Sequence, residues 1–584
     1  MIGLWYRDGT KDVVLEEALK TEGVPYRRLR EPSAPSDLLG LVAGEGCEAW
    51  SSELLSFVSR GGSLLVVKPV SELAEGLGLK LVGRQLGGYL AVEGGEASEA
   101  CSYNGELQLF GEAYLYEGGE TLARLRPEER YGGVIRVRLG LGCAIVAAFD
   151  VAETVLTIQQ PSSECGKAID ASVVERRLSR VPQLDVMRRL LINLFLKEVR
   201  APVPRKWYFP RCSRALLVLS GDQDGAPFEQ LAEVLRLIQE LQVPYTLFAT
   251  PSPHQPVTRE QFERLMRGGM DLALHPNFFR GGGSRVLRGG EIVIVKAESA
   301  FAEEELVRQL RDVEERTGAK LAGCRCHGLR WETALDLPLW LERAGLQYDS
   351  TLGARLYEDV GFRPGYYVGT GLPYRFVDTR TYRVVDVLEL PMITGDQVPL
   401  VRPRLYVVAL KPGAVKKFRM GGLTEEETFE LLKEMLDDSV SKYHTALCLN
   451  FHPIYLASRR LNIPGVHHSD RLFRMIVTYA KSLGVGVMSA NQWNEFWRNR
   501  EAVTIEDLSW RPELGRLSFT VRCAAGGAEV TLLIPKLRSK PGPLVLVGGA
   551  RTEGREMKVL GWEYVAINVY VGRKPIMVEA LYGG

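Results

Sequence analysis

The 584-residue sequence has no long hydrophobic run. No segment reaches about 18 uninterrupted apolar residues, the length that marks a membrane-spanning helix. The first residues, MIGLWYRDGTKD, also lack the basic start, the apolar stretch and the small-residue cleavage site of a secretory signal. We therefore expect no membrane partner and no signal for secretion.

An excess of charge of either sign is missing as well. The 73 lysines and arginines nearly balance the 72 aspartates and glutamates, which leaves a formal net charge of +1. A net charge this close to zero gives no reason to expect nucleic acid as a partner. The nine cysteines are scattered and odd in number, so they cannot all pair within one chain. Reduced thiols and a cytoplasmic location are expected, and Cys324 and Cys326 lack the second pair that a structural zinc site needs.

What is present is an ordinary globular composition, 46% hydrophobic and 25% charged, in a chain long enough for three or four domains. Residues 1–85 alternate short apolar strands with helices, at 2–5, 13–22, 52–59 and 63–67. This rhythm, with a Gly-Gly turn before the last strand, predicts a doubly wound α/β domain. It resembles the class I glutamine amidotransferase-like domains.

The amidotransferase reaction implied by that resemblance requires a cysteine nucleophile and a histidine base. No histidine precedes His254, so we read Cys47 as an incidental thiol and the domain as catalytically inactive. Residues 86–200 predict a β-rich extension or small sandwich followed by a helix at 185–197. The proline-rich stretch at 201–204 marks the next boundary.

Residues 205–500 repeat the strand–helix alternation more regularly. Strands are predicted at 215–219, 245–249, 271–275, 321–326, 385–390, 446–451 and 485–488, and helices at 228–239, 259–267, 303–317, 338–344, 425–439 and 470–482. Seven such units predict a parallel sheet closed into a deformed (β/α)7–8 barrel. Residues 505–584 contain strand patterns at 517–522, 530–535 and 566–571 and predict a small β-sandwich.

Polar residues stand repeatedly where strands of the middle region end. The segments are SGDQDG at 220–225, LHPN at 274–277, CRCHG at 324–328 and NFHP at 450–453. Active sites of parallel barrels collect at this end of the strands. Carboxylates and imidazoles at one rim provide ligands for a divalent metal and one further side chain that can act as a general base.

These segments resemble the motifs of the polysaccharide deacetylases, in family order and over nearly 300 residues. LSGDQDG at 219–225 stands for the family's Thr-Phe-Asp-Asp-Gly, and GMDLALH at 269–275 for its Gly-His-Glu-Ile-x-x-His. Arg325-Cys326-His327 approximates Arg-x-Pro, GLQYDS at 345–350 matches the later Asp-Ser segment, and Phe451-His452 matches Leu-His. VPYTLFAT at 243–250 and residues 487–497 are also similar to family segments.

The resemblance implies a metal site, but this sequence departs from the family at one of the metal ligands. Phe279 occupies the position of the family's second metal histidine, and His327 stands where the family has proline. We therefore expect Asp224, His275 and His327 as ligands, with water completing the shell. The extra residue in the first motif leaves open an exchange of roles between Asp222 and Asp224.

The implied activity is removal of an acyl group, normally acetyl, from a carbohydrate. The cofactor would be a divalent metal, Zn²⁺ first, with Co²⁺, Ni²⁺ and Mn²⁺ as alternatives. Asp222 is expected as the base, Arg325 as the residue that keeps it charged, and His452 as the acid that protonates the leaving group. Phe278, Trp331 and Tyr455 either stack on sugar rings or pack internally.

Two other classes of function remain open at this stage. A degenerate barrel would bind carbohydrate without cleaving it, because Phe279 removes a ligand. A glycoside hydrolase would need two carboxylates flanking the bond. Asp222 and Asp224 are too close in sequence for that, so a distant acid such as Asp349 or Glu389 would be required. The sequence leaves homo-oligomer formation open.

Overall fold

A computed structural model describes residues 1–31, 38–160, 180–251, 257–280, 283–286, 292–295, 298–353, 364–398, 404–411, 414–420, 422–524, 526–537 and 541–583; within 279–299 and 404–420 it describes only the backbone. Over these ranges the protein is mixed α/β, with six sheets and fourteen helices, as predicted for its class. No helix among the described residues has both the length and the apolar character needed to span a membrane.

The amino-terminal part contains nine strands and six helices within its described ranges. The strands are β1 (Ile2–Trp5), β2 (Tyr26–Arg28), β3 (Gly40–Ala43), β4 (Ser63–Val67), β5 (Lys80–Val92), β6 (Gly105–Glu117), β7 (Glu120–Arg126), β8 (Gly132–Leu139) and β9 (Gly142–Ala147). The helices are α1 (Val13–Thr21), α2 (Ser51–Ser59), α3 (Ser71–Gly76), α4 (Gly95–Cys101), α5 (Val151–Gln159) and α6 (Gln183–Glu198).

These nine strands form one sheet in the order β2-β1-β3-β4-β9-β8-β7-β5-β6. The first five are parallel and the remainder antiparallel. Residues 86–149 therefore continue the first sheet, whereas the sequence predicts a separate extension or sandwich, and the predicted boundary at 85 falls inside β5. The physical reason is that β9 returns beside β4 and completes the parallel core.

After β10 (Arg205–Lys206), the middle part contains strands and helices in alternation. The strands are β11 (Leu216–Asp222), β12 (Tyr245–Ala249), β13 (Met270–Leu274), β14 (Phe279–Arg280), β15 (Gly283–Val286), β16 (Ile292–Val295), β17 (Glu298–Ser299), β18 (Gly323–Cys324), β19 (Tyr348–Asp349), β20 (Tyr374–Asp378), β21 (Arg383–Glu389), β22 (Met392–Gly395), β23 (Arg404–Lys411), β24 (Ala414–Met420), β25 (Ala446–Asn450) and β26 (Gly486–Ser489). The helices are α7 (Phe228–Leu241), α8 (Arg259–Arg267), α9 (Glu303–Thr317), α10 (Asp336–Arg343), α11 (Glu425–Asp438), α12 (Pro453–Ser458), α13 (Asp470–Ser482) and α14 (Ala490–Ala502).

Ten of these strands form the sheet that carries the polar strand ends. Its order is β20-β21-β19-β18-β13-β12-β11-β25-β22, with β26 also paired to β11, and every pair is parallel except β20–β21. A single parallel bridge joins Gly353 to Met392 of β22. Closure into a barrel stays a prediction.

Helices surround this sheet because each presents an apolar stripe to it. α7 buries Leu231, Val234, Leu235 and Ile238, whose spacing is that of one helical face. α8, α11 and α14 each begin with a capping box, which satisfies amide groups at the helix start. One face of the strands packs with α7, α8 and α11 in one apolar cluster, and the other face packs with α14 in a second cluster.

Two insertions meet outside this sheet. β15 and β16 follow the third predicted strand, β23 and β24 follow β22, and the four strands pair as β15-β16-β23-β24. The sequence analysis did not predict this sheet. The run of four β-branched apolar residues at 292–295, IVIV, is the signal that would have indicated a strand there.

In the described residues of the carboxyl-terminal part, the only helical element is one short turn of 3₁₀ helix, and the other elements are strands. The strands are β27 (Val503–Arg511), β28 (Arg516–Cys523), β29 (Ala528–Pro535), β30 (Leu544–Val547), β31 (Ala550–Thr552), β32 (Arg555–Val559), β33 (Trp562–Val571) and β34 (Ile576–Leu581). They form two sheets, β10-β29-β33-β32 and β27-β28-β34-β30-β31, which share one apolar cluster.

A buried charged junction ties the amino-terminal part to the start of the middle part. Glu22, at the end of α1, accepts hydrogen bonds from Arg188, Arg205 and Tyr208. Burial alone would raise the pKa of Glu22, but Arg188 and Arg205 outweigh it and lower the pKa to about 2. Removing Glu22 would leave buried guanidinium groups unpaired, which is strongly destabilising.

Candidate metal centre

The candidate residues follow neighbouring strands of the ten-stranded sheet. Asp222 ends β11 and Asp224 lies two residues beyond it, while His275 directly follows β13. His327 lies three residues after β18, and His452 two residues after β25. Because these parallel strands point the same way, all five side chains lie at the carboxyl edge of the sheet.

The tight turn after β11 depends on two backbone features. A Cβ atom on Gly221 would lie 1.8 Å from the Phe451 carbonyl oxygen and 1.9 Å from the Tyr245 hydroxyl, so only glycine fits. Asp224 has a φ of 48°, in the left-handed region that aspartate tolerates better than most residues. The turn thus directs Asp224 back over the rim.

Three donor atoms converge beside this turn. The Oδ1 atom of Asp224 lies 3.2 Å from His275 Nε2 and 2.9 Å from His327 Nδ1, and the two imidazole nitrogens are 3.2 Å apart. A four-coordinate ion with bonds of about 2.0–2.2 Å spaces its donors about 3.3 Å apart. The donor set therefore fits a divalent cation with an open coordination position.

The hydrogen bond on the far side of His275 fixes which nitrogen faces the centre. Its Nδ1 lies 2.7 Å from the Arg325 carbonyl oxygen, which can only accept, so Nδ1 carries the proton. In the neutral imidazole that binds a metal, the lone pair is then on Nε2, which faces Asp224 and His327. This is the arrangement by which metal-binding histidines are oriented in proteins.

The electrostatics of this cluster favour cation binding. Burial opposes ionisation of Asp224, but His327 and His275 outweigh it and hold its pKa well below the usual range. Burial lowers the pKa of His327, and Asp224 reverses this and raises it. Protons and a metal ion compete for the same lone pairs, so metal affinity falls at acid pH.

Asp222 lies beside the cluster but is held differently. Its Oδ1 accepts a hydrogen bond from Arg325 Nη1 at 3.0 Å, and its Oδ2 accepts one from Asn450 Nδ2 at 2.8 Å. Burial raises its pKa, yet His275 and Arg325 outweigh burial and lower it. Asp222 is therefore a charged carboxylate at neutral pH, next to the three-donor cluster rather than part of it.

Arg325 is held in place by several contacts of its own. It donates to the hydroxyl groups of Ser220 and Ser350 and to the Ser350 carbonyl, and its guanidinium lies 4.1 Å from the centre of the Phe248 ring. Such a rigid cation fixes the position and the charge of Asp222 together.

His452 completes the rim opposite the three-donor cluster. Its Nδ1 donates to Asp396 Oδ1 at 2.7 Å, and its Nε2 lies 3.7 Å from Asp222 Oδ2 and 3.8 Å from Asp224 Oδ2. Burial lowers the pKa of His452, but Asp396 outweighs it and raises the pKa to about 9. The imidazole is therefore protonated at neutral pH, with Nε2 facing the centre.

Sequence reasoning missed Asp396 and Gln397, and it assigned no role to Asn450 although it singled out the segment at 450–453. Asp396 also accepts from the His452 backbone and from Ser469. The side-chain amide of Gln397 lies 3.0 Å from His452 Nε2, and its oxygen is the atom that can accept from the protonated imidazole. The only signal was position: both Asp396 and Asn450 lie at the ends of paired strands, β22 and β25.

Two of the three aromatic residues considered for stacking on sugar rings are packed internally. Phe278 and Trp331 are buried in the main apolar cluster, so stacking on sugar rings is wrong for both. The Tyr455 ring lies between His467, at 3.7 Å between ring centres, and His452, at 5.5 Å. Phe279 begins β14, and its side chain lies outside the described part of the protein.

The thiol of Cys47 has no catalytic environment. Cys47 follows β3 and is fully buried. Burial, reinforced by Glu48, raises its pKa far above that of a free thiol. A reactive cysteine needs the opposite shift. All eight cysteines among the described residues are free and buried.

Comparisons with known proteins give structural likenesses only. No protein-family model matches the chain, and no curated protein sequence matches it significantly. Among solved structures, a protein assigned as a polysaccharide deacetylase from Mycobacterium smegmatis is 17% identical, with 50% of this chain and 93% of that chain covered and a TM-score of 0.34.

Two further structures illustrate the range of similar proteins. A family 4 acetyl xylan esterase from Clostridium thermocellum, solved with a cobalt ion, is 12% identical over 48% of this chain and 89% of that chain, with a TM-score of 0.25. A β-galactosidase from Bacillus circulans is 11% identical over 28% of this chain and 32% of that chain, with a TM-score of 0.22. At these TM-scores the likenesses carry no argument about the reaction.

Proposed function

We propose that this protein is a metal-dependent hydrolase that removes acyl groups, normally acetyl, from a carbohydrate. The observation that carries the proposal is the convergence of Asp224, His275 and His327 between a charged carboxylate, Asp222, and a protonated imidazole, His452. Three ligands with an open position, a base and an acid are the parts that metal-assisted hydrolysis of an acyl bond requires.

Asp224, His275 and His327 would hold the cation, for which Zn²⁺ is the first choice and Co²⁺, Ni²⁺ and Mn²⁺ are alternatives. When bound, a divalent cation polarises the acyl carbonyl and makes a water molecule more acidic. The protein supplies the remaining chemistry. Asp222, kept charged by Arg325, accepts a proton from the attacking water.

His452 acts at the leaving group. Its Nε2 gives a proton to the departing nitrogen or oxygen as the carbon–nitrogen or carbon–oxygen bond breaks, so that a free amine or alcohol and a carboxylic acid result. Asp396 holds the imidazole through Nδ1 and stabilises its cationic form before transfer. An amide needs this proton more than an ester with a good leaving group.

The glycoside hydrolase alternative loses support from the positions of Asp349 and Glu389. Both side chains are completely buried, and their carboxyl groups hydrogen-bond to each other. Burial, followed by the Asp349 charge, raises the pKa of Glu389 well above normal. Such a pair does not flank an accessible glycosidic bond. A module that merely binds sugar needs no oriented acid and base, so Asp222 and His452 favour the enzyme.

The flanking parts belong to the same proposal. We assign an amidotransferase-like fold without the activity to the amino-terminal part, a deformed barrel to residues 205–500 and a sandwich to residues 505–584. The nine-stranded sheet of β1 to β9 supports an amino-terminal unit that extends past residue 85.

Acetate release from acetylated oligosaccharides tests the proposed function. The metal-free protein should be inactive, and one equivalent of Zn²⁺ per chain should restore release. Acetate release that is identical with and without metal would reject the metal-dependent mechanism. Sugar binding without acetate release at full metal occupancy would support the binding-module alternative.

A further inference from the structure

Asp222 is held by two different donors, one for each oxygen. Arg325 donates to Oδ1 at 3.0 Å and Asn450 donates to Oδ2 at 2.8 Å. The proposed mechanism uses Arg325 but assigns no role to Asn450. Asp222 and Asn450 are each 4% exposed, so water does not compete for these hydrogen bonds.

His452 approaches the same carboxylate oxygen that Asn450 holds. Its Nε2 lies 3.7 Å from Asp222 Oδ2, beyond hydrogen-bonding distance. A cationic imidazole and a carboxylate attract each other strongly in a buried site. Without Asn450, a displacement of less than about 1 Å would bring His452 Nε2 within hydrogen-bonding distance of Asp222 Oδ2 and join the acid directly to the base, with the hydrogen bond from Nδ1 to Asp396 retained.

A joined pair would be unproductive. Asp222 must keep a lone pair for the proton of the attacking water, and His452 must keep its Nε2 proton for the leaving group. A direct hydrogen bond between them would direct the Nε2 proton of His452 at the base instead of at the leaving group. The amide of Asn450 fills the position on Oδ2 with a neutral donor that has no role in proton transfer.

The other end of the Asn450 side chain argues against a purely structural role. Its Oδ1 atom is buried and has no hydrogen-bond partner in the described structure. An unpaired buried carbonyl oxygen is unfavourable, and an apolar side chain of the same size would avoid it. The asparagine therefore serves something other than stability at this position.

We propose that Asn450 is a positioning residue that keeps the base Asp222 and the acid His452 apart. This inference rests on the proposed hydrolase function. It predicts that removal of the amide lowers turnover without weakening metal or substrate binding.

The test compares Asn450→Leu with a matched control, Asn494→Leu. Asn494 is also buried, donates one hydrogen bond through Nδ2 to Gln347 at 3.0 Å and has an unpaired Oδ1, but it lies on α14 away from the rim. Both variants remove one buried amide, so loss of stability is common to them. Only Asn450→Leu should alter the geometry of the acid and base.

The kinetic measurement is acetate release from an acetylated oligosaccharide by the zinc-loaded full-length protein. We expect Asn450→Leu to lower kcat by about 10²-fold, with KM and zinc content within about twofold of wild type, because an acid or base contributes about 10²–10⁴ in rate. Asn494→Leu should keep the wild-type kcat. A kcat for Asn450→Leu within twofold of wild type would overturn the inference.

A crystal structure of Asn450→Leu tests the same inference without relying on turnover. His452 Nε2 should move from 3.7 Å to about 3 Å from Asp222 Oδ2. An unchanged separation would overturn the positioning role, whether or not the protein is active. Inactivity on every acylated sugar would instead reject the proposed function. If Asn450→Leu does not fold, Asn450→Ala removes the same donor with a smaller side chain and should give the same loss of kcat.

Discussion

The Asp396 carboxylate holds His452 by two hydrogen bonds, one to the imidazole Nδ1 at 2.7 Å and one to the backbone amide at 2.8 Å. This contact fixes the ring, assigns the Nδ1 proton and leaves Nε2 directed at the candidate centre. It also stabilises the cationic form of the imidazole. Its consequences for pH dependence and leaving-group preference are directly measurable.

Asp396→Asn should shift the alkaline limit of activity to lower pH. Asp396 raises the pKa of His452, and an acid must be protonated to act, so wild-type activity should fall on the alkaline side of neutrality as His452 loses its proton. Removing the Asp396 charge lowers this pKa, and the decline should begin nearer neutrality. The pH profile of kcat measures the shift, and coincident alkaline limbs would contradict the role of Asp396.

His452→Ala should discriminate between leaving groups. Acetamido sugars need a proton on the departing nitrogen, whereas 4-nitrophenyl acetate does not. We expect a loss of about 10²–10⁴ in kcat for the amide, which is the contribution of a general acid, and a much smaller loss for the activated ester. Equal losses for both substrates would show that His452 does not deliver the proton.

His327→Ala should abolish metal binding. Deleting one of three ligands leaves Asp224 and His275 alone, too few for a stable site. Metal content per chain after dialysis measures this, with His468→Ala as the control because His468 bonds to Ser458 outside the cluster. Full metal content in His327→Ala would show that the expected replacement of the family's second histidine is wrong.

Stability should fall on acidification because of His444. Burial and Arg189 lower its pKa to about 3, so the folded form stays neutral at pH values where the unfolded chain takes up a proton. Stability contributed by this residue is present above about pH 6.5 and is lost as pH falls below it. Between pH 7 and 5 the loss should be about 2 kcal/mol.

Urea denaturation of wild type and His444→Asn at both pH values checks this expectation. Asparagine tolerates the left-handed backbone of this position, where φ is 45°. The variant should have a lower free energy of unfolding at pH 7, because its contact with Trp207 is lost. It should also have a smaller decrease towards pH 5, and an unchanged decrease would contradict the assignment.

The residues at strand ends were predictable because each follows a recognisable apolar run. Asp222 and Asp224 follow LLVLSG, and His275 follows MDLAL, so parallel pairing alone brings them to one edge. The strand predicted at 321–326 is shorter in the structure, only Gly323–Cys324, because the chain turns at His327 to reach the rim.

The supporting residues could not be predicted in the same way. Asp396 and Asn450 acquire their roles only because β22 pairs with β25. Asp396 and His452, which follow these two strands, are 56 residues apart in the sequence. No local pattern reports such pairing. The continuous amino-terminal sheet was missed for the same reason, since β9 pairs with β4 across about 80 residues of intervening chain.

The most direct test of the central claim is acetate release measured together with metal content for wild type and Asp222→Asn. With one Zn²⁺ per chain, wild type should release acetate from an acetylated oligosaccharide. Asp222→Asn should bind the same amount of metal and lose about 10²–10⁴ in rate, because the base does not hold the ion. No acetate from the metal-loaded wild type on any acylated sugar would contradict the proposed function, and loss of metal in Asp222→Asn would show that the roles of the two aspartates are exchanged.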